Sequence, residues 1–432
     1  MSRRLFPRWG QALSALPDPR ASDQCDYPRE ALCEAVMMMY EGRLAARRQI
    51  RYRLHTALVR ERLSRRCGQA LTAVPHGDTA ARYLAMVPPP AMQRVPQSMV
   101  RDLLVARRLE PLRFLGRYYL LTCDLSGHLY LGDHASAFTE GCLTQTHSDG
   151  RTLYYRPVCE AKLVTHSGLA LSIGSEFVEN PPGFTRKHGD PQDSELPAAQ
   201  RLFPRVKAAF PGLAFCALLD ARYCNETGFA LCEANHWRFI ITLQDGSIPS
   251  VWQEFQTLRS LTPGNQHRLI APDGIEYRYT WVNAIAYGER TLNVLECAWT
   301  DAEGEHRFVW VTDLPIHARN CEALAHQGGR QRWKIENNGF RTQKHGGFAM
   351  EHAYAKNVVT AKNFYLLLQA AHIRSQMLEC YCKGKQAVQR AFGSLRNLAA
   401  ALLESLRRDP IPEPETLHRF MTEPIHIRLN TS

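Results

Sequence analysis

The chain contains no run of about twenty apolar residues, so no segment reads as a membrane-spanning helix. Its basic opening, MSRRLFPRWGQALSAL, lacks the long apolar stretch of a secretory signal. Thirteen cysteines are present, but no two are spaced Cys-x-x-Cys, and Cys380-Tyr381-Cys382 is the only close pair. That scatter gives no zinc site and no disulfide framework; it reads as reduced thiols, many of them small core residues. Seventeen histidines are equally dispersed, with no His-Glu-x-x-His arrangement. Internal repeats and low-complexity tracts are also missing. A cytoplasmic protein that neither spans nor inserts into a membrane is expected.

Negative charge is in short supply: 42 Asp and Glu stand against 53 Lys and Arg, a formal net charge of +11. The sequence pI is about 9.1. A polyanion partner follows, and arginine, which dominates the excess, grips phosphate oxygens in bidentate fashion. Charge alone does not choose among DNA, RNA and an acidic membrane surface. With 432 residues, 45% of them hydrophobic, the chain has material for two or three domains and a large core.

Residues 1–115 read as a helical N-terminal region. Arg29 to Ala70 is helix-rich and carries nine arginines between Arg43 and Arg66, among them Arg47, Arg48 and Arg51. This band is either a grip on a DNA backbone or a solvated helix face. A turn at Pro75-His76-Gly77-Asp78, the cluster Pro88-Pro89-Pro90 and a helix from Ser98 to Arg108 follow. Near Arg117 the texture changes. Tyr118 to Asp124 reads as a buried strand ending in a carboxylate, with Ser126-Gly127 turning into a neighbouring strand. Thr152 to His166 and Leu169 to Val178 form a strand pair. After a loop from Pro181 to Pro191, Ser194 to Phe210 is helical, interrupted by Pro204. Ala214 to Asp220 is a second buried strand ending in aspartate, and Arg238 to Gln244 a third core strand. These give a first core part at 116–244, a β-rich block at 245–315, a helical part at 316–400 and a tail at 401–432.

The segment RQRWKIENNGFRTQKHGG, Arg330 to Gly347, is the most informative of the chain. At roughly 100° per residue, Glu336 sits over Arg332, and Lys344 lies about 80° around the helix. A carboxylate fixed between cations suits a divalent metal beside a phosphate backbone; an ordinary i,i+4 ion pair on a solvated helix is the alternative. Asp124 and Asp220, at the ends of two predicted core strands, supply matching carboxylates. Clustered acids repel unless cations neutralise them, and hard oxygen ligands favour Mg²⁺ or Mn²⁺. Two such ions suit phosphodiester displacement.

At this point the sequence resembles the ribonuclease H-like DDE transposases of bacterial insertion sequences, in the branch with a Tyr-Arg-Glu-Lys signature. The resemblance spans roughly Pro75 to Glu379. Its most specific part is RWKIENNGFRTQKHGGFAMEH; DSELPAAQRLFPRV, FCALLDARY, FVWVTDL and HGDTAARYL support it. It implies an α/β, ribonuclease H-like core with a β-rich insertion before the catalytic Glu helix. It further implies that Asp124, Asp220 and Glu336 hold two Mg²⁺ or Mn²⁺ ions for strand cleavage and strand transfer. Arg332 and Lys344 would contact DNA phosphates, and Trp333 would either stack on a displaced base or belong to the core. The implied partners are double-stranded DNA carrying terminal inverted repeats and target DNA. A dimer on that DNA, in a bacterial, nucleoid-associated setting, goes with them.

Four departures from the pattern stand out. Gly329 occupies the position of the signature's Tyr, and Lys344 lies one place further from the Glu. Asp124 is followed by Leu125-Ser126-Gly127 rather than by Gly and a hydroxyl residue, and Cys142 alone remains of a Cys-x-x-Cys. They motivate an alternative, a DNA-binding derivative that no longer cleaves. A basic RNA-binding or scaffold protein is the other.

Overall fold

The computed structural model describes residues 2–21, 25–184, 191–381, 385–410, 413 and 416. Most of the loop expected before Pro191, Cys382 and nearly all of the proline tail beyond Pro410 lie outside them. The architecture is mixed α/β. Its strands are β1 Tyr119–Gly132, β2 Leu143–Thr146, β3 Thr152–Val164, β4 Ala170–Phe177, β5 Phe215–Leu219, β6 Arg238–Thr242, β7 Gln266–Ile270, β8 Glu276–Tyr287, β9 Arg290–Asp301 and β10 Gly304–Thr312. They join in one ten-stranded sheet ordered β2-β3-β1-β5-β6-β10-β9-β8-β7, with β4 on the outer edge of β3 beside β2. β1, β5 and β6 run parallel, β3 is antiparallel to β1 and β4, and β6 through β7 continue as antiparallel neighbours.

Strands that are covered on both faces are near-continuous apolar runs. β5 follows this rule, with all five of its residues buried. β7 and the outer half of β10 instead alternate exposed and half-buried positions, as a one-sided sheet does. The helix Val358–Tyr381 packs on β4 and on the helices Arg29–Glu41 and Pro89–Val105, and most of its length is buried. A helix enclosed on this scale brings polar groups inside, where each needs a partner. The Lys162 ammonium donates to Gln369 Oε1 at 2.6 Å and lies 3.6 Å from Glu160. Glu160 also accepts from Ser175 Oγ at 2.6 Å and Tyr365 Oη at 2.9 Å. This network ties β3 to the buried helix directly beside Asp124, which pairs with Glu160 across β1 and β3.

Several expectations change. Ser126-Gly127 is not a turn: β1 runs through it, with a register shift against β3 between Gly127 and Leu129. Asp124 therefore lies within a strand rather than at its end. The proline cluster opens a helix instead of preceding one, since proline at a first helical position sacrifices no hydrogen bond. The arginine-rich region is two α-helices, Arg29–Glu41 and Ala57–Cys67, joined by an irregular stretch with Arg47 and Arg48 and a wide helical turn, Ile50–Leu54, that carries Arg51. The block after β6 also contains a helix, Pro249–Leu261. Helix after Glu351 begins only at Val358. Among the described residues no disulfide forms, the cysteines are mostly buried, and no helix is long and apolar enough to cross a membrane.

Candidate active site

β1 and β5 pair in parallel, Tyr119 to Thr122 alongside Phe215 to Leu218. Two residues past the last paired positions stand Asp124, within β1, and Asp220, directly after β5 with its backbone still extended. Continuing the register would set their backbones level. Hydrophobic packing fixes the segment that carries the third acid, Glu336, whose charge acts on Asp124. Leu324 and Ala325 bury against a cluster containing Leu120, Cys216, Leu218 and Ile240, which fixes the helical segment leading to Glu336. That segment is unevenly wound, wide over Ala323–Gly328, tight over Gly329–Trp333 and wide again over Ile335–Phe340. Wide turns of this kind concentrate at functional sites.

The expected Arg332–Glu336 pair is formed, Nη1 to Oε1 at 3.0 Å, but not on a solvated face: Arg332 is buried. Burial pushes the Asp124 carboxyl up to about 7, and the negative charges of Glu195 and Glu336 add to it. Arg332 and the Leu125 N–H, donating at 2.9 Å, oppose the rise. Asp220 accepts from the Arg222 N–H at 3.0 Å, capping the short turn Ala221–Tyr223. A cleft of about 660 Å³ opens from Asp220 toward Arg222, Arg307, Arg330, Arg332 and Trp333. Trp333 is 47% exposed, which removes the core reading, and the Arg332 guanidinium lies 4.5 Å from its ring centre.

Other predicted residues are placed differently. Lys344 stands outside the cleft lining and pairs with Glu351 at 2.8 Å. Arg47 pairs with Asp78 at 3.3 Å, while Arg48 and Arg51 are exposed. Burial, then the charges of Arg48 and Arg47, lower the pKa of His352, which puts this arginine group beside the loop that follows Lys344.

A fourth carboxylate was missed. Glu195, the first residue of the helix Glu195–Ala209, is buried and accepts from Tyr223 Oη at 3.0 Å and Arg222 Nη1 at 3.3 Å. Burial and then the charge of Asp220 raise its pKa, against those hydrogen bonds. Its only sequence signal was membership of DSELPAAQ, where it passes for an ordinary first-turn helix residue. Among the described residues, no three His, Cys, Asp or Glu side chains stand together closely enough to hold a metal ion. Glu336 gives its carboxylate to Arg332 instead.

The raised Asp124 pKa has a consequence for stability. Its folded value of about 7 lies above the ordinary 3.8, so the folded protein binds the extra proton between those values. Stability from this group is full below about pH 4 and is lost as pH rises toward 7. The difference is worth at most about 4 kcal/mol, and water reaching a half-buried carboxylate reduces it to on the order of 2 kcal/mol. Metal-free Asp124→Asn should therefore melt above wild type at pH 8 and lose that advantage near pH 4. Equal melting temperatures at both pH values would remove the burial argument.

No family model and no curated protein matches the chain. Among solved structures it is similar to one described as a cryo-EM structure of a piggyBac transposase synaptic complex with hairpin DNA. Identity is 10% and the TM-score 0.37, over 98% of this chain and 81% of that one. A likeness at that level decides neither fold nor function.

Proposed function

We propose that the protein is a DNA transposase that cleaves and joins strands at the inverted-repeat ends of a bacterial insertion sequence. The observation that carries this reading is the parallel pairing of β1 and β5, which leaves Asp124 and Asp220 each two residues past the paired stretch, with the charge of Glu336 acting on Asp124. The order β4-β3-β1-β5-β6, with β3 alone reversed, supports a ribonuclease H-like core. Strands β7 to β10 then lie between the last core strand and Glu336, as the insertion of that transposase branch would.

Carboxylate oxygens are the hard donors that Mg²⁺ and Mn²⁺ prefer. Asp124 is half-buried, with the charges of Glu195 and Glu336 raising its pKa and Arg332 opposing them, so an arriving divalent ion would relieve that repulsion. Asp124, Asp220 and Glu336 would hold two of them, with Glu336 leaving Arg332 to do so. Such ions, when bound, supply activation of an attacking oxygen and stabilisation of a leaving one. The residues of the chain do the rest. Arg332, released from Glu336, would donate to a phosphate near the scissile bond, and the exposed Trp333 indole offers a stacking surface for a displaced base. Arg222, Arg307 and Arg330 would hold the strand along the cleft. Lys344 and the exposed Arg48 and Arg51, with Arg47, would grip the duplex backbone further out, on a dimer that joins two ends.

The test is Mn²⁺- or Mg²⁺-dependent cleavage of DNA bearing the repeats that flank this gene. Cleavage at the repeat ends supports the reading, and absence of both binding and cleavage sinks it. The Arg332–Glu336 ion pair favours a second reading, a derivative that binds ends without cutting; tight binding with no cleavage in either metal would select it.

Replacing Arg47, Arg48 and Arg51 with Ala should weaken binding at all sequences alike. Removing one phosphate-binding arginine lowers the slope of log K against log salt by roughly 0.9. Arg47 should contribute least, because Asp78 already occupies it. An unchanged slope would take this group out of the interface.

A further inference from the structure

Four rings stand in a row on one face of β9 and β10. His306 lies on Trp299 at 4.7 Å, Trp299 on Phe308 at 5.5 Å and Phe308 on Trp310 at 5.8 Å, with planes 16°, 5° and 12° apart. Arg330, from the tightly wound turn before Glu336, rests on the middle of this row. Its guanidinium carbon is 4.7 Å from the Trp299 ring centre and 5.6 Å from that of Phe308. Arg222, Arg307 and Arg332 share the cleft with it, and each pairs with an acid: Glu195, Glu296 and Glu336 in turn. Arg330 is half-buried and, of these four, alone has no acidic partner among the described residues.

A guanidinium lying on aromatic rings gives them one face and keeps its N–H donors in its own plane, free to bond. Those in-plane donors are the fork with which arginine grips a phosphate. Holding the side chain in one orientation before a ligand arrives removes part of the ordering cost of binding. The cleft of about 660 Å³ falls in the range of small-molecule sites, roughly 300–1,000 Å³. It therefore admits a nucleotide or two of an unpaired strand and excludes a duplex. Trp299 is 5% exposed and stands outside the cleft lining, behind Arg330. We infer that Arg330 is the phosphate-gripping residue of this cleft, for the backbone of an unpaired strand, and that Trp299 is the positioning residue that presents it. The β-rich block thus takes part in strand binding through an arginine it does not itself carry. This inference rests on the reading above for the strand being DNA, and it requires no metal.

The test is binding of a fluorescein-labelled, mixed-sequence single strand to the full chain, by anisotropy over a range of salt and without divalent metal. Arg330→Ala should weaken binding about ten- to a hundredfold, as loss of charge-assisted hydrogen bonds does, and lower the salt slope by roughly 0.7. Arg330→Lys keeps the charge and loses the planar fork, so the slope should return while affinity stays down about tenfold. Trp299→Leu should weaken binding about three- to tenfold through the lost ring face, and Trp299→Phe should recover most of that. In an Arg330→Ala background Trp299→Leu should change the affinity no further, which a general loss of packing would not give. The Arg330 variants alter a half-buried position and decide the matter even where Trp299→Leu fails to fold.

Arg330→Ala binding with wild-type affinity and slope would overturn this inference and leave the transposase reading to its own cleavage test. Full recovery in Arg330→Lys would reduce the residue to a point charge and remove the presenting role of Trp299. A wild type that binds repeat-end duplex but not the single strand would overturn the inference alone. A wild type that binds neither would overturn both.

Discussion

Asp220→Asn lowers metal-dependent cleavage at the repeat ends by more than about a hundredfold, a loss exceeding that of an outer-shell partner. The expectation rests on how little else the substitution changes. Asp220 accepts one backbone hydrogen bond, from the Arg222 N–H at 3.0 Å, and the Asn side-chain oxygen can keep it. The turn over Ala221–Tyr223 then stays capped, and the register of β1 against β5 is untouched. What disappears is a negative charge on the lip of the cleft and one oxygen of the carboxylate proposed to hold metal. Relief of the repulsion felt by Glu195 should leave the metal-free variant at least as stable as wild type. End binding should persist, because Arg48 and Arg51 and the cleft arginines are unaltered. Measured together, cleavage, binding and melting temperature distinguish a missing metal ligand from a damaged fold. Cleavage within tenfold of wild type would remove Asp220 from the chemistry.

The legible parts of this site were those in which local pattern and tertiary demand agree. Phe215 to Leu219 is an apolar run because β5 is buried on both sides, and the acid after it is visible for the same reason. Arg332 and Glu336 are four residues apart, and that spacing survives even in a segment wound unevenly. Misreadings arose where long-range pairing overrode a local signal. Ser126-Gly127 has turn chemistry, yet pairing with β3 from Val164 down to Tyr154 holds β1 extended past it. Lys344 was read from helical geometry and from the resemblance, and the ion-pair partner it has in the fold, Glu351, lies in a loop whose course no periodicity records. Glu195 could not be singled out from its neighbours, since Arg222 and Tyr223 meet it only once the helix and the turn after β5 have docked. The ionic environment of a site is a property of the assembled sheet. Sequence reading finds the acids and misses what stands between them.

Gly329→Tyr, which restores the residue of the transposase signature, should destabilise this protein instead of repairing it. The backbone at Gly329 is ordinary right-handed helix, so the position does not require glycine for its dihedral angles. Space is the obstacle. A Cβ there would stand 2.4 Å from both Cε2 and Nε1 of Trp310, and that indole is buried and stacked on Phe308 at 5.8 Å. Even Gly329→Ala should cost on the order of 2 kcal/mol, with more for Tyr, because the Trp310 ring or the helical segment must shift to admit a Cβ. A helical segment displaced by this clash carries Arg332 and Glu336 with it, so cleavage should fall alongside stability. Trp310→Ala opens a cavity and is destabilising alone, by about 3–5 kcal/mol. The double variant should nonetheless be more stable than the sum of the two losses, by on the order of 1–3 kcal/mol, since residues in contact couple on that scale. That coupling, read from denaturant midpoints of the four proteins, tests whether the Trp310 ring occupies the volume that the signature tyrosine would fill. A Gly329→Tyr variant that melts with wild type would show that the segment yields freely. Strict additivity would place the tyrosine elsewhere. Positive coupling would make Gly329 and Trp310 a compensated exchange, in which an aromatic ring from the β10 strand takes the place of one from the segment that carries Arg332 and Glu336.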